Sequence, residues 1–142
     1  MNSSTHENDF YAWTAEQVNL LKTRQLDQID WQNIADEIED MGRSEKRQLE
    51  NRLEILIMHL LKWQFQPNLR SRSWQLTIKE QRLRLEKLLR KNPSLQSHLT
   101  EAIQDVYPLA TISAEKATGL SLFPAICPYT LTEILSPEFL PE

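Results

Sequence analysis

Apolar residues recur at three- and four-residue spacing along most of the chain, with charged residues filling the opposite positions, the signature of amphipathic helices. The first helix is predicted over about residues 15–24. Thr14 and Gln17 are spaced as a capping box, and Trp13 and Val18 as a hydrophobic staple. Asp30 is placed to cap a second helix, with Ile29 and Ile34 as its staple. Trp31, Ile34, Ala35, Ile38 and Met41 share one face of it, while Asp36, Glu39 and Asp40 point away. Gly42 stands where a left-handed terminator belongs, and Ser44 is predicted to cap the next helix. That third helix, residues 45–65, has the strongest period: Leu49, Leu53, Leu56, Ile57, Leu60 and Trp63 form a stripe widened by Leu61, and Pro67 ends it. A fourth, residues 74–91, lines up Trp74, Ile78, Leu85, Leu88 and Leu89, with the polar Gln81 in mid-stripe. The fifth opens at Asn92 and Pro93, continues through Leu95, Leu99, Ala102, Val106 and Ala110, and stops at Gly119. Pro108 is expected to kink or split it near Tyr107.

Beyond Gly119 the pattern changes. Four of the seven prolines fall in the last 19 residues, yet Leu120, Leu122, Phe123, Ile126, Tyr129, Leu131, Phe139 and Leu140 keep the segment apolar. Such a tail is expected to lie across the bundle. Thr130 with Glu133, stapled by Tyr129 and Ile134, predicts one short helix near residues 131–135. The expectation is an all-α, single-domain bundle over residues 1–142, with about five main helices, a mobile start at 1–9 and a packed tail at 120–142.

Composition strengthens the helical reading. Two valines stand against 22 leucines and 11 glutamines, and straight-chain residues suit helices as β-branched ones suit strands. The 142 residues fit one domain. A single cysteine, Cys127, excludes an internal disulfide framework and a cysteine-rich zinc site. The first ten residues have no basic and apolar pattern of a secretory signal, and the longest uncharged stretch, 117–132, is too short for a membrane span and contains Pro124 and Pro128. A cytoplasmic protein without membrane contact is expected.

The runs DFYAW (9–13), IDWQNIADEIEDMGRSEKRQLENRL (29–53), MHLLKWQFQP (58–67), RSRSWQLTIKEQR (70–82) and FPAICPYTLTEIL (123–135) resemble domain of unknown function family twenty-nine, small bacterial helical proteins frequent in cyanobacteria. Gln32 and Asp36 stand where relatives often carry Glu, and Ser136 where an acid is common. The resemblance implies an all-helical fold and carries over no activity and no catalytic residue.

Three constellations could carry chemistry. Residues 70–91 hold Arg70, Arg72, Lys79, Arg82, Arg84, Lys87, Arg90 and Lys91 against Glu80 and Glu86, a basic face with neighbouring aromatics of the kind that binds phosphate backbones. The net charge of −4 and the eight acids against four bases in residues 30–54 favour instead a basic helix that faces the acidic second helix or simply faces water. Glu37, Glu39, Asp40 and His59 offer metal-ligand types, but Glu37 and His59 at most make an under-ligated pair, so no metal is assigned. His98 flanks Leu95 in the same way as His59 flanks its own stripe, and His6 falls in the expected mobile start. Lys62, Trp63, Phe65, Arg70, Arg72 and Trp74 gather aromatic rings and guanidinium forks around one inter-helix link, suited to anion capture or to an architectural corner where Arg stacks on Trp. With two glycines there is no phosphate-cradling loop and no nucleophile elbow, and Cys127 reads as a packed, inert thiol. The reading is a non-enzymatic binding or protein-interaction module without a cofactor. Its first expected partner is a protein or a second copy, matched by charge; the alternatives are a nucleic-acid binder through 70–91 and a metal-dependent hydrolase at Glu37 and His59.

Overall fold

A computed structural model describes residues 5–142, and most of these are helical, with no strand among them. The elements are α1 (Phe10–Lys22), α2 (Trp31–Phe65), α3 (Arg72–Lys91), α4 (Leu99–Thr118) and the short α5 (Leu131–Leu135), linked in part by 3₁₀ turns at Leu26–Gln28, Pro67–Leu69 and Pro93–His98. The chain clusters into two compact units, one ending at Arg43 and the other spanning Ser44–Glu142, with residues of α2 in both. Of the start expected to be mobile, residues 1–4 lie outside the described residues. Residues 5–9 form a turn in which the Asp9 N–H donates to the Thr5 carbonyl at 3.1 Å.

In the first unit, α1 begins one turn earlier than the Thr14 box predicts. The Asp9 carboxylate accepts the Ala12 N–H at 3.1 Å, and the Thr14 hydroxyl donates back to the Tyr11 carbonyl at 2.7 Å, so Thr14 sits inside the helix. A carboxylate is the better acceptor for the positive end of a helix, and it wins. Trp13, Gln17 and Leu20 then share the buried face, and Val18 is exposed rather than stapled. The helix closes in a Schellman arrangement: Gln25 N–H donates to the Leu20 carbonyl at 2.9 Å and Arg24 N–H to Leu21 at 3.2 Å, with Arg24 left-handed at φ 59°.

α2 corrects the predicted break at Gly42. Only Arg24 and Gly119 have positive φ among the described residues, so Gly42 stays helical, Ser44 does not start a new helix, and the two predicted helices are one. Glycine permits a left-handed turn without requiring one, and inside a helix it costs only about 1 kcal/mol relative to Ala. Among the described residues four long helices therefore replace the expected five.

In the second unit, Leu49, Leu53, Leu56, Ile57, Leu60 and Leu61 of α2 meet Ile78, Leu85, Leu88 and Leu89 of α3 and Leu99, Ala102, Val106 and Ala110 of α4 in one core. Trp74, expected in that stripe, is half-buried, while Gln81 is buried with its Oε1 lacking a hydrogen-bond partner. Ser71 caps α3 by accepting the Trp74 N–H at 3.2 Å. Residues 93–98, read as the start of a fifth α-helix, form the tighter 3₁₀ turn. α4 continues unbroken through Pro108, where Gln104 and Pro108 both face solvent and water can take the carbonyl that the proline leaves without a donor. Gly119, at φ 74°, closes it. The tail packs on this core through Tyr129 and Ile134, and Thr130 and Glu133 make the predicted capping box on α5.

Candidate interaction surface

The cations singled out from the sequence divide into two groups. Arg70 and Arg82 are structural ties within the second unit. Arg70 Nε donates to the Trp63 carbonyl at 2.7 Å and Nη2 to the Glu142 carbonyl at 3.0 Å, with its guanidinium 5.0 Å from the Trp63 ring centroid. Arg82 is buried. Its Nε donates to the Ile134 carbonyl at 2.9 Å and Nη2 to Glu133 at 3.2 Å, so one guanidinium caps the end of α5, and desolvation pulls its pKa down. Lys62 lies 4.6 Å from the Trp74 ring centroid, and burial lowers its pKa. The corner that could have captured an anion has thus committed its Trp63 and Trp74 rings to Arg70 and Lys62, and Arg70 in turn to the Trp63 and tail carbonyls, whereas Arg72 stays exposed.

The second group faces water. Arg72, Lys79, Lys87 and Arg90 are exposed on α3, and so are Leu76 at 45% and Leu83 at 57%. Arg84 pairs with Glu80 at 3.2 Å and Arg90 with Glu86 at 3.5 Å; Lys79 and Lys87 have no ion-pair partner among the described residues. Arg72, Leu76, Lys79, Leu83 and Arg90 line one side of a groove of about 820 Å³, closed on the other by Leu135, Pro137 and Leu140 of the tail. The helical period places Leu76 and Leu83 a full two turns apart on the face opposite the core stripe. The two leucines among the cations were the available signal for this row, and the reading of 70–91 as a charged face passed over them.

The carboxylate and imidazole candidates are each occupied. In the second unit His59 Nδ1 donates to the Ile55 carbonyl at 2.9 Å, and desolvation, assisted by Lys62, lowers its pKa. In the first unit Glu37 Oε1 lies 2.6 Å from His6 Nε2, a partnership across 31 residues that spacing rules could not find. The His6 ring also meets the edges of Phe10 and Trp13, and its hydrogen bond to Glu37 raises its pKa. Glu39 and Asp40 share Arg43 at 3.2 and 2.9 Å. No group of three or more His, Cys, Asp or Glu side chains among the described residues could hold a metal. Cys127 is half-buried, its thiol pushed up by desolvation, 3.6 Å from the Tyr129 carbonyl. His98 is half-exposed at the start of α4.

The first unit presents its own apolar face. Trp31, Ile38 and Met41 are 55%, 61% and 66% exposed, and the Trp31 ring is held by its Nε1–H donating to the Leu26 carbonyl at 3.1 Å.

No helix among the described residues is long and apolar enough to cross a membrane. Comparison with curated proteins and with solved structures finds no match. The family model described as "Domain of unknown function DUF29" matches residues 5–140, and on that match the chain belongs to the DUF29 family.

Proposed function

We propose that this chain is a non-enzymatic protein-interaction module of the bacterial cytoplasm whose α3 groove receives an amphipathic helix bearing carboxylates. The observation that carries this is the exposed row of Leu76 and Leu83 set between Arg72, Lys79 and Arg90 along the groove. Two leucines a heptad apart supply apolar contact, and flanking cations supply orientation and partner choice. Nucleic acid is the weaker reading, because Arg70 and Arg82 spend donors on carbonyls, Arg84 faces Glu80, and the row along the groove alternates cations with leucines rather than with aromatic rings. Fluorescence anisotropy tests the proposal with a labelled, Glu-rich helical peptide carrying leucines at alternating three- and four-residue spacing. Binding is expected at low salt, weakened by high salt and lost in Leu76→Asp. Absence of peptide binding together with retardation of oligonucleotides would transfer the function to nucleic acid.

A further inference from the structure

Resting on that reading of the groove, we infer that Arg82 is the specificity-determining residue at its floor, where the guanidinium takes the side-chain carboxylate of a glutamate on the incoming helix. α3 turns about 100° per residue. That period sets Arg82 beside Ile78 and Leu89 on the core edge of the groove and puts Leu76 and Leu83 on its outer edge, with Lys79 between them. Arg82 is therefore a tie to the tail and part of the groove wall at once. It is only 7% exposed, and the groove is where that remainder opens.

Two observations mark this guanidinium as short of a partner. Its Nε and Nη2 donate to the Ile134 and Glu133 carbonyls, but Nη1 has no acceptor among the described residues. Nor is Nη1 sealed in, since among the described residues Gln81 Oε1 alone is a sealed side-chain atom without a hydrogen bond. The second observation is charge. Both acceptors are neutral carbonyls, and no carboxylate among the described residues pairs with Arg82. Glu86, four residues on, pairs with Arg90 at 3.5 Å, the Glu133 carboxylate accepts the Thr130 N–H at 2.9 Å, and Glu138 is exposed. A cation withdrawn from water without a counter-charge is costly, and an arriving anion offsets that cost. The surroundings select the anion. Ile78, Leu89, Leu135 and Leu140 are apolar, so the ligand must bring a hydrocarbon stem with its charge at the tip. Glutamate does so; a sugar–phosphate backbone, charged along its length, does not. Arg72 and Lys79 lie farther out and exposed, where water and salt screen them, so they steer the helix while Arg82 fixes its register.

Fluorescence anisotropy tests this with a set of C-terminally amidated peptides, each the Glu-rich, leucine-spaced probe with one glutamate changed to glutamine. Amidation leaves side chains as the only carboxylates. One of these changes is expected to weaken binding to the wild-type chain at least about tenfold, and to do so at high salt as well, because a buried pair is little screened. The others are expected to cost about twofold at low salt and nothing at high salt. On Arg82→Gln, whose amide can still donate to a tail carbonyl, the decisive change is expected to lose its effect while the minor ones keep theirs. A purely structural role for Arg82 would instead weaken every peptide by one factor and leave the decisive change as costly as before. Should Arg82→Gln lose helicity or bind no peptide, 15N NMR of the wild-type arginine side chains replaces it. The parent peptide is then expected to slow hydrogen exchange of the Arg82 guanidinium, and the peptide lacking the decisive glutamate to leave it fast. Peptides that bind but weaken evenly across the set overturn this inference and leave the proposed function standing. So does a decisive glutamate whose effect survives in Arg82→Gln or whose docking leaves Arg82 exchange unchanged. A wild-type chain that binds no peptide of the set overturns both.

Discussion

Gln81 and Arg82 are neighbours with opposite consequences. Both are buried, at 5% and 7% exposure, on the side of α3 turned to the core and tail. Gln81 leaves Oε1 without a partner, and an unsatisfied buried acceptor costs about 1–3 kcal/mol. Gln81→Met, close in volume, is expected to be neutral or to raise stability by about 1–2 kcal/mol in urea denaturation. Arg82 satisfies two carbonyls of the tail, so Arg82→Met leaves them bare and is expected to cost about 2–3 kcal/mol, with faster proteolysis of residues 123–142. The position of Gln81 in a leucine stripe was readable from spacing alone; the partners of Arg82, 51 and 52 residues away, were not. His6 shows the same limit. Its imidazolium is stabilised by Glu37, so this contact contributes fully below the ordinary histidine pKa and is lost as pH rises through the raised one. His59 runs the other way: burial favours its neutral form, and its contribution is lost as pH falls below the ordinary value toward the lowered one. In an NMR titration His6 is expected to titrate above 6.5 and His59 below it, with Glu37→Gln returning His6 toward 6.5.

At the scale of elements, the two glycines make an internal contrast. A Cβ would meet nothing within 4 Å at either, so backbone conformation alone decides the effect of Ala. Gly42 lies inside α2, and Gly42→Ala is expected to stabilise by up to about 1 kcal/mol. Gly119 holds φ 74° at the end of α4, and Gly119→Ala is expected to cost about 1 kcal/mol. Equal destabilisation by both, measured by thermal unfolding, would restore the break that the sequence suggested at Gly42. Capping chemistry was legible where a single candidate existed, as with Thr130 and Glu133 on α5. It misled where two competed: Asp9 and Thr14 are both sound caps, and the stronger carboxylate acceptor, together with the burial of Trp13, Gln17 and Leu20 along one line, favours the earlier start. Helical spacing likewise marks a face as apolar without saying that anything covers it, so the stripe of Trp31, Ile38 and Met41 looks in sequence like a core seam and in the structure meets solvent.

Across the whole molecule, apolar burial is unevenly shared between the two units. The second holds a continuous core running from Leu49 through Ala114 to Ile134, whereas among its described residues the first buries only Trp13, Gln17, Leu20 and Ile29. Burial contributes roughly 25 cal/mol per Å² of apolar surface, so the first unit has far less to set against the entropy of ordering its backbone. Directional polar bonds supplement it: Trp13 Nε1–H donates to Asp30 at 3.0 Å, and the Asp30 N–H donates to Gln17 Oε1 at 2.8 Å. Such bonds each contribute about 1 kcal/mol net, which leaves the first unit near the low end of local stability. Amide exchange of residues 13–20 is therefore expected to be much faster than that of 53–61, the segment of α2 whose Leu53, Leu56, Ile57, Leu60 and Leu61 are wholly buried. Leu56→Ala, in the centre of that segment, is expected to cost about 2–5 kcal/mol and to speed exchange throughout the second unit. Trp13→Phe keeps the ring in place but removes the bond to Asp30, and its effect is expected to remain within residues 5–43. Covering Trp31, Ile38 and Met41 would add the burial that the first unit lacks, so a partner seated on them would slow exchange in 13–20. Exchange in 13–20 as slow as in 53–61 in the free chain would mean that the first unit does not stand on its few internal bonds alone.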